Sequence, residues 1–447
     1  MKNIISSFMA IALVLVLLSG CERSNSDPVI TNTENTSNET ADNSNNPSAD
    51  ENELIIYTVW PGFYANEEIY ERQVGQYLKK KFPDVNFRHI YWDNPGKQYK
   101  DLIAAGTIPD LIMENANNFH KHIAEHDLQY DLSDLIKKHN YDTSQLNQAA
   151  LAVLKNKSPE GEIIGLPFQM SDFVLFYNKD IFDKFGIDYP TNGMTYDQVY
   201  ELAKQLTRVD GEITYKGYQQ HPGLYMTYNQ LGLNALSLTE DKAELATPEW
   251  TRHVDNLRRF YDIPANQFTS VDHFPKGNMA MSVHVSEKIV QWYDQNNDLN
   301  FDIVSMPSYP DSPGVKAMPN LYGMFITKQS PRKDLAFEVM TYLLSEEMQI
   351  NFAKEGIIGP LKTPAVQEAF GQNLPQMQGK NTDAIFYGEN AMPPAARAKG
   401  LTYISPHLHE VFSPLIFGES KDSLTALRIV EENTNKAIEV SKAANGG

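Results

Sequence analysis

Strand-like and helix-like segments alternate along the folded part of this chain, and this alternation limits the fold more than any other feature. The run 54–60 is rich in β-branched and aromatic residues, as buried strands are, and 85–92 and 109–113 have the same character. Apolar residues recur at helical spacing over 70–82, and 97–105 is a second helical stretch. Because strands that alternate with helices need crossover connections, the sequence predicts an α/β fold with parallel sheets.

A second α/β region follows further along the chain. Thr195 and Gln198 have the spacing of a capping box, which predicts a helix at 196–206. Trp250 is followed by apolar residues at helical spacing, so we expect its ring to belong to the core.

The amino-terminal residues have the order of an export signal, with Lys2, an apolar stretch at 4–18 and small residues before Cys21. The apolar stretch is shorter than the roughly 20 residues that a membrane-spanning helix needs. The tetrad Leu-Ser-Gly-Cys at 18–21 resembles the lipobox of bacterial lipoproteins, which implies a signal peptide at 1–20 and lipidation of Cys21, with palmitate among its acyl groups. The alternative is an uncleaved anchor. Both place the mature chain at the extracellular face of the bacterial cell membrane.

Charge and composition exclude several classes of protein. The chain has 57 acidic and 38 basic residues, a net charge of −19, and no basic stripe, which argues against a nucleic-acid partner. Cys21 is the only cysteine, so a disulfide scaffold is ruled out. The segment 21–53 is polar and poor in large apolar residues, and we expect it to be a lipidated cysteine followed by a disordered linker. Membrane contact then comes from lipid alone.

Several short motifs occur in a fixed order along the folded chain. They read DLIAAGTIPD at 101–110, GEIIGLP at 161–167, FYNKD at 176–180 and FPKGNMAM at 274–281. This order resembles extracellular solute-binding proteins, family 1, the maltose-binding-protein-like receptors of bacterial ABC importers, many of which take sugars. One segment departs from the family pattern: 194–198 reads Met-Thr-Tyr-Asp-Gln where members usually carry a Trp after the Thr.

The resemblance implies a type II periplasmic-binding-protein-like fold with two α/β lobes, each a mainly parallel sheet flanked by helices. The ligand cleft would lie at a hinge of several strands. The amino-terminal lobe would comprise 54–167 and 318–361, and the carboxyl-terminal lobe 168–317 and 362–447. The resemblance also implies a receptor without catalytic activity or cofactor, expected to be a monomer, whose partners are a carbohydrate, most simply an oligosaccharide, and the transmembrane permease subunits of an ABC importer.

Candidate ligand-binding residues come from two sources. In open α/β sheets, ligands contact the loops beyond the carboxyl ends of strands. Those loops carry Trp60, Phe63, Tyr64, Trp92, Glu114, Asn115 and Asn117. The resemblance adds Gln169, Ser171 and Asp172 at the first lobe crossing, and Tyr225, Tyr228, Glu287, Trp292 and Tyr322 from the second lobe and its return. Aromatic rings cover the C–H face of a sugar while amides and carboxylates bind its hydroxyls. The alternative for each aromatic residue is packing in the core.

Two other functions remain open at this stage. The first is the same receptor role for a solute other than a sugar. The second is a surface zinc metallohydrolase, because His122, Glu125 and His126 match the H-x-x-E-H pattern. A zinc site needs a further protein ligand, and no clear motif supplies it. His407 and His409 could join a metal site only if folding brings other ligands near them. We therefore expect no metal.

Overall fold

The computed structural model describes residues 52–59, 66–92, 96–416 and 422–444. Its strands are β1 (Glu53–Thr58), β2 (Asn86–Tyr91), β3 (Leu111–Asn115), β4 (Leu166–Ser171), β5 (Phe173–Asn178), β6 (Arg208–Asp210), β7 (Ile213–Tyr215), β8 (Gln219–Gln220), β9 (Met281–Val285), β10 (Phe301–Ser305), β11 (Val315–Lys316), β12 (Asn320–Ile326) and β13 (Glu389–Asn390).

Helices cover these strands. The α-helices are α1 (Glu67–Tyr70), α2 (Gln76–Lys81), α3 (Tyr99–Ala104), α4 (Ser133–Lys138), α5 (Gln148–Lys155), α6 (Lys179–Phe185), α7 (Tyr196–Leu206), α8 (Pro222–Thr227), α9 (Pro248–Tyr261), α10 (Lys288–Gln295), α11 (Lys333–Leu343), α12 (Glu346–Lys354), α13 (Pro364–Ala369), α14 (Asp383–Phe386), α15 (Phe412–Ile416) and α16 (Ser423–Ala444). π-helical turns occur at Glu71–Gly75, which joins α1 to α2, and at His120–Ala124. Of the helices described, none is long and apolar enough to cross a membrane.

Two sheets organise the fold. The first has the strand order β2-β1-β3-β12-β4, and the second has the order β10-β5-β9-β8. Every residue of β4 and of β5 is buried, because helices cover both faces of each sheet. The predicted α/β class is therefore confirmed.

The prediction that each sheet is mainly parallel is wrong in detail. In the first sheet β1 runs parallel to β2 and β3, but β12 runs antiparallel to β3 and β4. In the second sheet β5 is antiparallel to both β9 and β10, and only β8 and β9 are parallel. A strand buried on both faces is an apolar run whatever the direction of its neighbours, so the sequence pattern carried no information about direction.

The capping box and the core position that the sequence predicts for two helices are confirmed. The Thr195 side chain accepts a hydrogen bond from the backbone of Gln198, whose side chain accepts one from the backbone of Thr195 in return, so the predicted capping box opens α7. Thr247 caps α9, and Trp250 on that helix is 2% exposed, in the core as predicted.

Two connections carry the chain between these two sheets, from β4 to β5 through Asp172 and from β10 back to β12 through 306–319, a segment that includes β11. A buried ion pair joins them, with 2.6 Å between Lys316 Nζ and Asp172 Oδ2. Asn390 Nδ2 donates to the other carboxylate oxygen at 3.0 Å, and Lys316 also donates to the Ile385 carbonyl at 3.1 Å. The crossing is thus fixed by a buried network of charged and polar groups.

Candidate functional site

A cavity of about 550 Å³ lies between the two sheets, with walls from both. Val59, just beyond β1, and Ser171, the last residue of β4, belong to the wall of the first sheet. Tyr322 reaches the same edge because β12 runs antiparallel and begins where β4 ends. Glu287 and Gln291, at the start of α10 and within it, line the other wall. The topology therefore gathers polar side chains at one edge of the first sheet, facing the second.

Glu287 is the most unusual group in this cavity. Ser171 Oγ donates a hydrogen bond to its Oε1, whereas its Oε2 is buried and makes no hydrogen bond within the described structure. Burial raises the pKa of the Glu287 carboxyl above its ordinary value of 4.5, and the nearby charge of Asp172 adds to this rise. An ionised carboxylate oxygen that is buried without a donor is costly, so a ligand that donates to it would be favoured.

Gln73 repeats this situation on the opposite wall. It lies in the π-helical turn between α1 and α2, is 6% exposed, and its Oε1 has no hydrogen-bond partner among the described groups. Gln73 and Glu287 both line the cavity, and each carries a buried acceptor oxygen without a hydrogen-bond donor among the described groups. A ligand rich in hydroxyl groups supplies such donors.

The charges of the cavity are few. Arg72 Nη1 lies 2.6 Å from Glu355 Oε2, and Asn373 Nδ2 donates to the other oxygen of Glu355 at 2.6 Å. Glu287 is the remaining charged group among the described lining residues, so one cation faces two carboxylates. The net negative charge disfavours an anionic ligand here.

Apolar groups complete the lining, with Phe168, Val285, Leu374 and Met377 among them. Tyr322 presents a partly exposed ring, and burial raises the pKa of its hydroxyl to about 12, so it is a neutral hydrogen-bonding group at physiological pH. An apolar surface with a few oriented polar groups is typical of small-molecule sites.

The structure separates the predicted site residues into groups. Gln169, Ser171, Glu287 and Tyr322 line the first cavity. Asn117 and Tyr228 line a second cavity of about 280 Å³ and are hydrogen-bonded at 2.7 Å, while Asn115 and Tyr228 both donate to Asn320 Oδ1. Cys21, Trp60, Phe63 and Tyr64 lie outside the described residues.

Five predicted residues have structural surroundings instead, and two of them lie near β2 and β3. Glu114 is fully buried and accepts from Asn118 and the Asn115 backbone, and its Oε2 lies 2.7 Å from His122 Nδ1. Trp92 packs against the core while its backbone donates to the Thr58 carbonyl.

Of the five residues, Tyr225 and Trp292 belong to the core, and Asp172 fixes the crossing between the sheets. Tyr225 is 4% exposed and stacks on His253 at 3.9 Å, and Trp292 is 1% exposed among phenylalanine rings. Asp172 holds Lys316 at the crossing between the sheets.

Sequence reasoning missed Gln73, Arg72 and Gln291. A signal for Gln73 existed, because it lies next to Val74 and three residues after Tyr70, on the apolar face of the helix. A polar side chain on such a face needs a partner in the interior, or a ligand.

The metallohydrolase alternative finds no support in the geometry. His122 is engaged by Glu114, and the H-x-x-E-H segment forms a π-helical turn and the residues just after it. Within the described ranges, no three His, Cys, Asp or Glu side chains are placed to hold a metal ion.

Comparisons with known proteins agree with the predicted family. Residues 75–379 match the family described as bacterial extracellular solute-binding protein. An arabinooligosaccharide-binding protein of Bacillus subtilis is 24% identical over 315 residues, covering 65% of this chain and 69% of its own. An sn-glycerol-3-phosphate-binding periplasmic protein of Agrobacterium fabrum is 32% identical over only 75 residues, 17% of each chain, so the match spans well under two thirds of that relative.

A solved structure shows the same fold. The ABC substrate-binding protein from Listeria monocytogenes in complex with cycloalternan has a TM-score of 0.61 at 23% identity, over 87% of this chain and 99% of its own. The predicted periplasmic-binding-protein-like architecture is confirmed. These relatives are binding proteins, and the family match extends over more than half of the sequence. The chain belongs to the bacterial extracellular solute-binding proteins.

Proposed function

We propose that this chain captures a carbohydrate, most simply an oligosaccharide, outside the cell and delivers it to the permease of an ABC importer without altering it chemically. The observation that carries the proposal is the pair of buried, unpartnered acceptors, Gln73 Oε1 and Glu287 Oε2, at a cavity between the sheets. Sugar hydroxyls are donors of the required kind, and the ring of Tyr322 offers a surface for the C–H face of a sugar.

The charge of the first cavity supports a neutral ligand. One of the relatives binds sn-glycerol 3-phosphate, while others bind arabinooligosaccharide or were solved with cycloalternan. A phosphate would meet the carboxylates of Glu287 and Glu355 with only Arg72 to offset them, and Arg72 is already paired. Trp60, Phe63 and Tyr64 remain candidates for stacking because they follow Val59, which lines the cavity, in the sequence.

The mode of capture would be closure of two lobes. We retain 54–167 with 318–361 as one lobe and 168–317 with 362–447 as the other, since the connections between the sheets fall near these boundaries. Ligand contacts from both walls favour the closed form, and a receptor of this kind needs only that difference in affinity between its states.

The test is a thermal-shift screen of the full chain, purified in detergent, against neutral oligosaccharides, acidic oligosaccharides and sn-glycerol 3-phosphate. A ligand at one hundred times its dissociation constant should stabilise the fold by about 2.7 kcal/mol. A shift with an oligosaccharide, which is then recovered unchanged, is the expected result. A shift with glycerol phosphate alone would overturn the carbohydrate assignment, and hydrolysis of the sugar would overturn the binding role.

Substitution Glu287→Gln should weaken binding of the oligosaccharide found in the screen by about ten- to a hundredfold. A hydrogen bond to a charged acceptor contributes about 1.5–3 kcal/mol, and each 1.4 kcal/mol is about tenfold in affinity. Calorimetric titration measures the change. Asp294→Asn, which neutralises an exposed carboxylate on the same helix, is the control and should bind as wild type does. Equal affinity of Glu287→Gln and wild type would remove Glu287 from the site.

The same variant has a pH signature. The raised pKa of Glu287 means that the unliganded fold favours the protonated carboxyl, so its stability falls as pH rises from about 4.5 through the folded-state pKa. A ligand that donates to the carboxylate favours the ionised form, so wild-type affinity should rise across that same window and then level off. Glu287→Gln should abolish this rise.

The anchor proposal concerns Cys21 and the segment 21–53. Cys21→Ser removes the thiol that would be acylated, so the chain should appear in the medium rather than in the membrane fraction. The released chain should bind the same oligosaccharide with unchanged affinity, while cellular uptake should fall because the receptor is no longer held near its permease. Fractionation and uptake of labelled sugar measure both effects. Retention in the membrane would contradict lipid anchoring.

A further inference from the structure

The second cavity differs from the first in its charge. Its described lining includes two cations, Lys157 and Arg397, and no carboxylate, in a chain whose net charge is −19. The cavity lies between residues of the first sheet's region, such as Asn117 and Lys157, and residues packed near the second, such as Tyr228 and Arg397. A positive cavity of about 280 Å³ in an acidic protein needs a physical reason.

Lys157 follows α5 and has no counter-charge. Burial lowers the pKa of the Lys157 ammonium to about 8, so it still carries a proton at neutral pH. Its ammonium makes no hydrogen bond or ion pair with the part of the chain that the structure describes. Partly buried charge without a partner destabilises a fold, so this side chain has a cost that a bound anion would offset.

His120 also lines this cavity, and the positive charges there act on its imidazole. Its ring stacks on Tyr403 with 4.0 Å between centroids. Burial lowers the pKa of His120 to about 4, and the positive charges of Lys157 and Arg397 act in the same direction. His120 lines the same cavity as both cations, and its imidazole is neutral at physiological pH and can donate or accept a hydrogen bond.

Arg397 is held in place by backbone groups rather than by carboxylates. It donates to the carbonyls of Ser237 and Thr402 at 2.8 and 2.7 Å, and to that of Glu240 at 3.2 Å. Its nearest carboxylate, Asp241, is 4.0 Å away and lies 3.1 Å from Lys442. The positive charge of Arg397 is thus only partly compensated.

Polar side chains link this cavity to the first one. Tyr322, which lines the first cavity, and Asn320 are two residues apart on β12, about 7 Å, and point to the same face. Tyr228, which lines the second cavity, donates to Asn320 Oδ1 at 2.8 Å. Asn320 and Tyr228 therefore lie between the two cavities.

We propose that the second cavity binds an anionic group, a carboxylate or sulfate carried by a sugar residue, through Lys157 with Arg397 and His120 beside it. The solute would then be an acidic oligosaccharide whose neutral part occupies the first cavity and whose charged part occupies the second. This inference rests on the proposed carbohydrate function for its ligand, but the anion site itself can be tested separately.

The experiment uses the full chain in detergent, with wild type, Lys157→Met and the control Lys155→Met, an exposed lysine at the end of α5. Calorimetric titrations compare trigalacturonate, its fully methyl-esterified form and sodium sulfate at constant ionic strength. We expect wild type and Lys155→Met to prefer the acid over the ester by at least about tenfold, and Lys157→Met to lose this preference. Lys157→Met should also raise the melting temperature in anion-free buffer, because it removes an unpaired charge.

The outcomes separate the two proposals. If neither the galacturonides nor any oligosaccharide of the thermal-shift screen binds, but sulfate binds wild type and fails to bind Lys157→Met, the anion site stands as a site for a small anion and the carbohydrate function fails. If sugars bind with no preference for the acid, and sulfate binding does not depend on Lys157, the inference is overturned while the proposed function survives. If sulfate binds none of the variants, and no sugar binds in these titrations or in the screen, both are overturned.

Discussion

Lys316→Met should lower the free energy of unfolding by about 3–5 kcal/mol, because it leaves the buried carboxylate of Asp172 without its cation. The side chains of Lys316 and Asp172 are 3% and 4% exposed, and their closest N–O distance is 2.6 Å. Asn390 donates to Asp172 as well, but one amide cannot balance a buried charge. Urea denaturation of the variant and wild type measures the loss.

Two further variants make this prediction specific. Lys328→Met removes the cation of an exposed pair, whose side chains are 55% and 66% exposed, and should change stability by less than about 1 kcal/mol. Adding Asp172→Asn to Lys316→Met should recover most of the loss, since the new amide would carry no charge and its oxygen could still accept from Asn390. A single variant as stable as wild type, or a double variant no better than the single one, would contradict the assignment.

The position of this pair gives the result a functional meaning. Asp172 lies between β4 and β5, and Lys316 ends β11, so the pair joins the two connections between the sheets. Ser171, the neighbour of Asp172, donates to Glu287 in the first cavity. A structural group, Asp172, is therefore the neighbour of a group that lines the cavity, Ser171, and a loss at Asp172 should also shift the position of Ser171.

The fold could be predicted to the extent that it depends on local patterns. The capping box at Thr195 and the core position of Trp250 follow from nearby residues, and both are as predicted. Strand direction could not be predicted from pattern, because β5 reads as the same apolar run whether β9 and β10 run parallel or antiparallel to it.

The candidate site was predictable where the chain crosses between sheets and much less so elsewhere. Gln169, Ser171 and Glu287 line the first cavity as the motif order implied. Gln73 was missed because a single buried amide on a helix gives a weak signal. Lys157 was missed because a sequence does not show whether a lysine has a carboxylate near it in the fold. Its surroundings come from residues far away in the chain, such as Arg397.

Aromatic residues were the least predictable, since a ring contributes to a sugar site and to a core by the same burial of apolar area. Tyr225 and Trp292 were expected at the ligand, and both are almost fully buried among other rings. The side of the helix on which a ring lies decides the matter. Val290 and Gln291 of α10 line the first cavity, whereas Trp292 is turned toward Phe176 and Phe274.

Trp292→Ala should therefore lower the free energy of unfolding by about 3–5 kcal/mol through loss of packing. The Trp292 ring is centred 4.6 Å from that of Phe176 and 4.8 Å from that of Phe274, and its Nε1 donates to Asp272 Oδ2 at 2.8 Å. Trp292→Phe keeps most of the apolar volume and loses the hydrogen bond, so it should cost less than half as much.

Measurements of ligand binding distinguish a packing role of Trp292 in the core from a role in the ligand site. In Trp292→Phe, the dissociation constant for the oligosaccharide found by thermal shift should stay within about threefold of wild type, a difference below about 1 kcal/mol. Trp292 shares α10 with Val290 and Gln291, which line the cavity. If Trp292 contacted the sugar directly, Trp292→Phe would instead weaken binding severely and leave the unfolding transition nearly unchanged. Weaker binding with unchanged stability would place Trp292 in the ligand site. Lower stability with unchanged affinity would place it in the core that supports α10 beside the cavity.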